Sequence, residues 1–435
     1  MILRKFINTE KHNLDYLNIS KKLFLVLIFL IPLNLGKHCL IKDAYVFGIL
    51  VDYLIPTIYI QDIISILVLF FWFISGKVKK TNWRGVLERK EIQFSILFVL
   101  STLFSVLSAS RFIPSLYFWL RLFLYFLIFI YVFIEIKVEE YFFKILDVLV
   151  ISVLLLSTLG VLQYINKGSI FNNYLAFGEQ PYSASTFGVP KEYLFGKIVV
   201  PAYGLFRHPN IFGGFLSISL LLILPFLKRK KIYIYTFLIG LISLIFTFSY
   251  SSLLVFVFGV LIYLFLLIPP TTYNNFYNYR KKIKVLLITL AFCLSMLIIP
   301  LFPKISKSLN PSLYRRSNLL VSSYRAFKGH PLFGVGLNNL TIFIDEYVPE
   351  SRDIRFTQPV HNVFALVAAE TGVFSFVFFI LFLFFVSKRL VNSNYFNVFL
   401  ISFIQIIMLS SLDHYLFTIH QTLLMFWILM ALAIQ

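Results

Sequence analysis

Long apolar runs broken by short polar stretches set the pattern of this chain. Runs such as "FLYFLIFIYVFI" (123–134) do not alternate in polarity, which excludes the strands of a transmembrane barrel. A bilayer core of about 30 Å needs about 20 mostly apolar residues per helix. Reading successive windows, the pattern predicts helices near 22–40, 60–76, 92–109, 116–135, 141–164, 209–227, 232–249, 251–268, 285–302, 361–386, 397–412 and 419–435. The predicted class is all-α, a polytopic membrane protein of about twelve spans forming one domain over 1–435. "YVFGILVDYLIP" (45–56) is apolar but short and interrupted, which predicts an interfacial segment. Only "SYSS" (249–252) separates the seventh helix from the eighth. The first helix lacks a small-residue cleavage site ahead of it and is expected to stay as an uncleaved anchor.

Lysine and arginine collect in alternate connections: the N-terminal tail, 77–90, "KRKK" (228–231), 280–284 and Lys388–Arg389. By the positive-inside rule those segments face the cytoplasm, and with them both termini. The outer side then carries two long segments, 165–208 and 303–360. The second lies between the ninth and tenth helices.

Composition agrees, with 59% hydrophobic and 13% charged residues against about 45–50% and 25% in soluble domains. The net charge of +20 is explained by the inner connections, so no nucleic-acid partner is needed. Cys39 and Cys293 fall on or inside separate helices, with no CxxC or Cys/His spacing for a metal site. No acidic cluster calls for a metal, and no cofactor is expected.

A transporter places its costly polar residues in mid-span, often at broken helices. Here they gather at the outer ends of helices and in the two long outer segments, which points to a site at the outer membrane surface. Arg121 lies one to two turns below the outer end of the fourth helix; snorkelling and a part in binding are both open to it.

"NPSLYRRSNLLVSSYRAFKGHP" (310–331) reads as an amphipathic helix. Asn310 can cap it, Pro311 suits its first position, and Gly329 and Pro331 stop it. Leu313, Leu320, Tyr324 and Phe327 fall within about 60° of one another, and Arg316 shares that face. Arg325 points nearly the opposite way, and Arg315 lies about 100° from Arg316. An arginine on an apolar stripe needs an anionic partner; lipid phosphates at the interface are the other reading for all three. The glycine-containing "PLFGVGLNN" (331–339) is a turn able to bring backbone amides near a ligand.

"QPVHNVFALVAAETG" (358–372) closes the segment. With Pro359 opening a helix, His361 and Asn362 sit in its first turn, where the positive end of the helix dipole keeps an imidazole neutral and able to take a proton. A capping histidine is the alternative. Glu370 lies on the opposite face and reads as an interhelical contact, among small residues suited to close packing. "FRHPNIFGGFL" (206–216) has the same form: Pro209 starts the sixth helix, Arg207 and His208 precede it and Asn210 enters its first turn. Free amides there suit an anion, and Arg207 offers a planar two-pronged donor for phosphate.

Together, "YGLFRHPNIFGGFL" (203–216), "FTFSYSSLLVF" (246–256), "RSNLLVSSYRAFKGHPLFGVGLNN" (316–339), "QPVHNVFALVAAETG" (358–372) and "SLDHYLFTIHQ" (411–421) resemble, in order and spacing, the O-antigen ligase and O-antigen polymerase superfamily. The resemblance implies about twelve helices in a GT-C-like arrangement with a large outer loop between the ninth and tenth. It implies transfer of a glycan from undecaprenyl diphosphate to a hydroxyl acceptor (glycan, lipid or protein) at the outer face of the cytoplasmic membrane, by an inverting mechanism without metal. Carried over, it makes Arg316 a diphosphate-binding arginine and His361 the base or acceptor-positioning group. Arg207, Arg315, Arg325 and Arg121 are candidate diphosphate ligands, with His208, Asn210, Tyr250 and Asn362 in support. The chain departs from the family's pattern in having Ser249 and Tyr250 where Ser-Arg is frequent, and Pro201 where an arginine often precedes "YG". A polyprenyl-glycan flippase or other polysaccharide transporter is the rival reading; it expects charges through the depth of the bundle.

Overall fold

The computed structural model describes residues 9–267, 280–290, 311–347, 357–392 and 397–435. Its long helices are α1 (Thr9–Leu30), α2 (Ile60–Ile74), α3 (Lys90–Leu107), α4 (Phe112–Glu135), α5 (Val138–Asn166), α6 (Pro209–Ile223), α7 (Lys231–Phe246), α8 (Tyr250–Leu267), α9 (280–290), α10 (Pro311–Gly329), α11 (Val363–Asn392), α12 (Asn397–Leu412) and α13 (His420–Ala433). Each of the twelve apolar runs contains helix. Among the described residues, six helices are long and apolar enough to cross a membrane: α3, α4, α5, α6 with its following turn, α8 and α11. Shorter apolar helices are α2, α7, α12 and α13. The chain is a helical polytopic membrane protein. The expected span 285–302 beyond residue 290, Cys293, the Asn310 cap and residues 303–310 and 348–356 of the 303–360 segment lie outside the described residues.

Burial sorts the helices. Nearly every side chain of α6, α12 and α13 is buried, as expected of helices hydrophobic all round. Peripheral helices instead leave Phe70 and Phe73 of α2, Leu238 and Ile242 of α7 and Leu254 and Leu261 of α8 exposed, which is the face a lipid solvent favours. Around the central helices, α3 packs on α11, α5 on α7, α1 on α2 and α4 on α13.

Hydrogen bonds mark the two ends of the bundle. At one, Arg89 donates to the Ile434 carbonyl (2.8 Å), Gln435 accepts from the Val138 amide (3.0 Å) and Lys230 meets Asp147 (2.9 Å). This is the end where the basic connections gather. At the other, Gln421 donates to the Pro32 carbonyl (2.6 Å), the Ala202 amide to the Phe246 carbonyl (2.9 Å) and the Arg111 amide to Asn339 (2.8 Å). All the candidate site residues belong to this second end.

Three expectations are corrected here. The first helix ends at Leu30, not 40: the Gln61 amide holds the Leu30 carbonyl (2.7 Å), and β1 (Gly36–His38) then pairs antiparallel with β4 (Thr57–Tyr59). Cys39 follows that strand, exposed and off any helix. Between the pair, 45–56 folds as a small hairpin, β2 (Tyr45–Val46) with β3 (Ile49–Leu50), around Ala44, Val51 and Leu54. A last hairpin, β5 (Glu192–Leu194) with β6 (Lys197–Val199), lies in the 165–208 segment.

The second correction concerns α10. Leu313 and Tyr324 of its apolar stripe are 39% and 64% exposed. The buried face is Ser317, Leu319, Ser322, Ser323 and Ala326, turned toward α11. Each serine hydroxyl bonds a carbonyl of its own helix (2.7–2.8 Å), so the three behave as small residues that permit close approach. In a lipid-facing setting the larger apolar side chains are left outside.

The third lies in α11, which begins at Val363 rather than at Pro359, because Asn362 caps it by accepting from the Ala365 amide (2.9 Å). His361 therefore precedes the helix. Gly372 breaks α11 with φ 75° and ψ −176°, and a Cβ there would sit 2.2 Å from the Leu332 carbonyl oxygen. Into that break fits "PLFGVGLNN". Val335 and Gly336 donate to the carbonyls of Ala369 and Glu370, and Asn338 and Leu340 donate to the Glu370 carboxylate (2.8 and 3.1 Å). The group that these amides meet is the Glu370 carboxylate itself, while the Glu370 carbonyl makes the expected interhelical contact by accepting from the Ser105 hydroxyl of α3 (2.6 Å).

Candidate functional site

Three short turns converge at the end of the bundle opposite the basic connections. The first is the approach to α6, where Pro209 fixes the start and His208 is the cap, its Nδ1 accepting from the Asn210 amide (3.1 Å). The second is the turn ahead of α11, carrying His361. The third is the connection 413–419 between α12 and α13. Gly214 lets the first and third meet: a Cβ there would lie 2.1 Å from the Tyr415 hydroxyl oxygen, so any larger residue would push 413–415 away from α6.

At their junction the Nδ1 of His361 lies 3.1 Å from Oδ1 of Asp413. The same oxygen accepts from the His414 amide (2.8 Å), and Oδ2 lies 3.4 Å from the Asn210 side-chain amide. Burial would raise the Asp413 pKa, but His361, His414 and Arg316 outweigh it and hold the carboxyl well below its usual range. An ionised carboxylate only accepts hydrogen bonds, so Nδ1 of His361 is the donor. Burial lowers His208 to about 4 and His414 to about 3, Asp413 opposing in each case. Both rings are neutral at pH 7. His414 is further fixed by Thr418 (2.7 Å) and by the Tyr53 ring, whose centroid is 5.4 Å away.

Arg316 reaches this group from α10: its NH1 lies 3.4 Å from the carbonyl oxygen of Leu412, the residue before Asp413. Asn362 joins from the other side, donating to the Ser411 carbonyl (3.1 Å). The structure thus brings together His361, Arg316, His208, Asn210 and Asn362 from three separate stretches of sequence. Asp413 and His414 complete the group and were not singled out from sequence. Their signal was an adjacent acid and histidine in a short connection with no other charge, in a chain with only 19 acidic residues.

The remaining arginines are placed differently. Arg207 turns toward the strand pair, bonding the Tyr59 hydroxyl and lying 3.4 Å from His38 Nε2. Burial opposes its charge, but Tyr59, Asp52, Tyr53 and Tyr174 more than compensate, and its pKa is raised. Tyr53 links this cation to the His414 side of the site, since both Arg207 and Asp413 act on it. Arg121 is 8% exposed and paired with Asp62 (2.7 Å), which also accepts from Tyr125 (2.7 Å). It is neither snorkelling nor facing a ligand; it fastens α4 to α2 beneath Tyr59, whose ring it underlies at 4.8 Å. Arg315 is half-buried and Arg325 exposed on α10. Tyr250 is 71% exposed.

Two cavities flank residues 203–208. A groove of 360 Å³ runs along α1 and α5, lined by apolar groups that include Leu33, Leu156, Phe171, Phe177 and Leu205. On the other side, a cavity of 260 Å³ is lined by Gln180, Tyr182, Phe187, Tyr203, Arg207 and His208 among others.

His361, Asp413 and His414 also place one potential metal ligand atom each within 4.8 Å of one another. The set fits a hydrogen-bonded relay better than a cation: the closest pair is at hydrogen-bond distance, His414 Nδ1 is taken by Thr418, and a guanidinium stands alongside.

Residues 235–380 match the family model described as O-antigen ligase. The match runs from α7 through α10 and His361 into α11, and leaves Arg207, His208, Asp413 and His414 outside it. Among curated proteins nothing matches this chain.

Proposed function

We propose that this chain, a member of the O-antigen ligase and polymerase superfamily through its domain at residues 235–380, is a glycosyltransferase of the cytoplasmic membrane. It moves a glycan from a polyprenyl-diphosphate carrier such as undecaprenyl diphosphate to a hydroxyl of a glycan, lipid or protein. Both termini face the cytoplasm and the site faces outward, in keeping with the basic residues at the opposite end of the bundle. The 165–208 and 303–360 segments form its outer cover.

The reaction follows from the group around Asp413. His361 Nε2 takes the proton from the acceptor hydroxyl while the acceptor oxygen bonds to the anomeric carbon. The bond from that carbon to the diphosphate oxygen breaks with its electron pair, and the configuration inverts. Asp413 holds the imidazole in the tautomer that can accept a proton and stabilises the imidazolium formed. Arg316, with Arg207 and with Arg315 or the more distant Arg325, stabilises the charge that grows on the departing diphosphate. Guanidiniums then serve where a metal ion otherwise would. The sugar passes through an oxocarbenium-like state, as in glycoside chemistry generally.

The observation that carries this reading is the His361–Asp413 hydrogen bond at 3.1 Å with Arg316 placed against the preceding carbonyl. The apolar groove ending at Leu205, two residues from Arg207, supports a carrier with an apolar tail and an anionic head. A transporter's proton relay belongs in mid-span, whereas the His361–Asp413 pair stands in the connections at one end of the bundle. Reconstitution with a polyprenyl-diphosphate glycan separates the two: a transferase makes a new glycosidic bond in the presence of chelator, whereas a flippase moves the donor without consuming it.

A further inference from the structure

The cavity under the first outer segment touches the site described above only through Arg207 and His208, and the rest of its lining has no part in that chemistry. Its two walls are residues 180–189 and 203–208. They are fixed to each other by one side chain, Gln163, which is fully buried. Its amide nitrogen donates to Glu179 (2.7 Å) and to the Gly204 carbonyl (2.8 Å), while its oxygen accepts from the amides of Tyr203 and Gly204 (3.1 and 2.8 Å). Glu179 in turn accepts from the Ile170 amide (2.9 Å), and Ser169 holds the Tyr182 amide (3.0 Å). The cavity is therefore formed in advance of any ligand, which lowers the entropic cost of filling it.

Its lining mixes flat apolar rings with neutral polar groups. The Tyr182 and Tyr203 rings lie 4.4 Å apart at 37°, and Tyr203 stands 6.4 Å from the His208 ring. Phe187 lies at the cavity with 87% of its surface exposed. Gln180 and Arg207 add amide and guanidinium donors. A pyranose presents this complement: C–H faces for rings to cover, and hydroxyls around its edge for hydrogen bonds. The volume of 260 Å³ is below the about 300–1,000 Å³ of clefts for drug-sized ligands, which suits one ring rather than an oligosaccharide.

Position adds a second argument. Along a single stretch of backbone, Leu205 lines the apolar groove, whereas Gly204, Phe206, Arg207 and His208 line the polar cavity. An apolar groove and a polar cavity that carries a guanidinium thus meet at residues 204–208, as the apolar tail of a lipid-linked glycan meets its diphosphate and first sugar.

We propose that this cavity is a monosaccharide subsite that holds the sugar of the donor next to its diphosphate, with Phe187 and the Tyr182–Tyr203 pair covering the ring and Gln180 reading its hydroxyls. The donor assignment rests on the transferase reading; the capacity to bind a sugar ring does not. Saturation-transfer NMR on the full chain in nanodiscs, with a panel of methyl glycosides of common hexoses and N-acetylhexosamines, tests the two separately. At least one glycoside is expected to receive saturation, with the signal falling threefold or more in Phe187→Ala and Gln180→Ala and unchanged in Leu238→Ala on the exposed face of α7. The bound glycoside is expected to be displaced by a polyprenyl-diphosphate glycan and to resist polyprenyl diphosphate without sugar. No saturation of any glycoside, or equal signals in wild type and both cavity variants, would overturn the subsite. Displacement only by free acceptor would overturn its assignment to the donor. Loss of transfer chemistry with glycoside binding intact would count against the transferase reading and leave the subsite standing.

Discussion

His361 and Asp413, 52 positions apart in sequence, share a hydrogen bond of 3.1 Å at the junction of three turns. Neither belongs to a helix. Asp413 follows α12, which packs on α6, and His361 precedes α11, which packs on α3 and α10; the relationship gives a lone histidine the orientation that proton transfer needs. Asp413→Asn removes the charge and favours the wrong tautomer while keeping the shape. It is expected to lower kcat for glycan transfer about 10²–10⁴-fold with little change in KM for the donor. Steady-state transfer kinetics check this; an unchanged kcat would separate Asp413 from the reaction.

Arg121 and Asp62 make a different kind of pair. Both are buried, and the arginine's charge serves the scaffold beneath Tyr59. Arg121→Met would strand the Asp62 carboxylate, at a cost of about 3–5 kcal/mol. The double variant with Asp62→Leu is expected to recover most of that stability. Thermal unfolding in detergent reads both, and additive losses would contradict the pairing.

Glu370 is held by amides of the turn that fills the break in α11. Glu370→Gln leaves one of those amides facing an NH₂ group, a loss of about 1–3 kcal/mol. Hydrogen exchange is expected to show the increase at 335–340 before other parts of the outer end. Uniform change along the chain would count against this role.

Acid should loosen the site. His208 and His414 protonate near 6.5 in the unfolded chain but only at about 4 and about 3 when folded. Between those limits the unfolded state binds more protons, so stability rises with pH through that window and is complete above about 6.5. Asp413, whose pKa is depressed, adds a loss in the same direction at lower pH, as its carboxylate protonates. The melting temperature is expected to be lower at pH 5 than at pH 7, with a smaller difference in His414→Gln. Equal differences in the two proteins would contradict this.

Much of the fold was legible because apolar periodicity and helix stop signals are local. Pro209 and Gly329 marked helix ends correctly, with His208 and Asn210 at the first of them, whereas Pro359 placed the start of α11 too early for His361. What was not legible depends on contacts distant in sequence. No spacing links Arg121 to Asp62, and nothing near Gln61 shows that it would end the first helix. Periodicity also does not say which solvent a helix faces: the stripe of Leu313 and Tyr324 on α10 looked like a buried face, yet the serines opposite pack on α11. Asp413 and His414 were missed for a related reason, since a short connection between two helices has no pattern from which to stand out.

The most direct test of the central claim is transfer by the reconstituted protein, with a polyprenyl-diphosphate glycan and candidate acceptors, comparing wild type with His361→Ala and Arg316→Ala. New glycosidic product from wild type, and its loss by at least a hundredfold in both variants with the melting temperature preserved, is the expected result. Undiminished transfer by the folded variants would contradict the site, and donor translocation without any product would contradict the reaction.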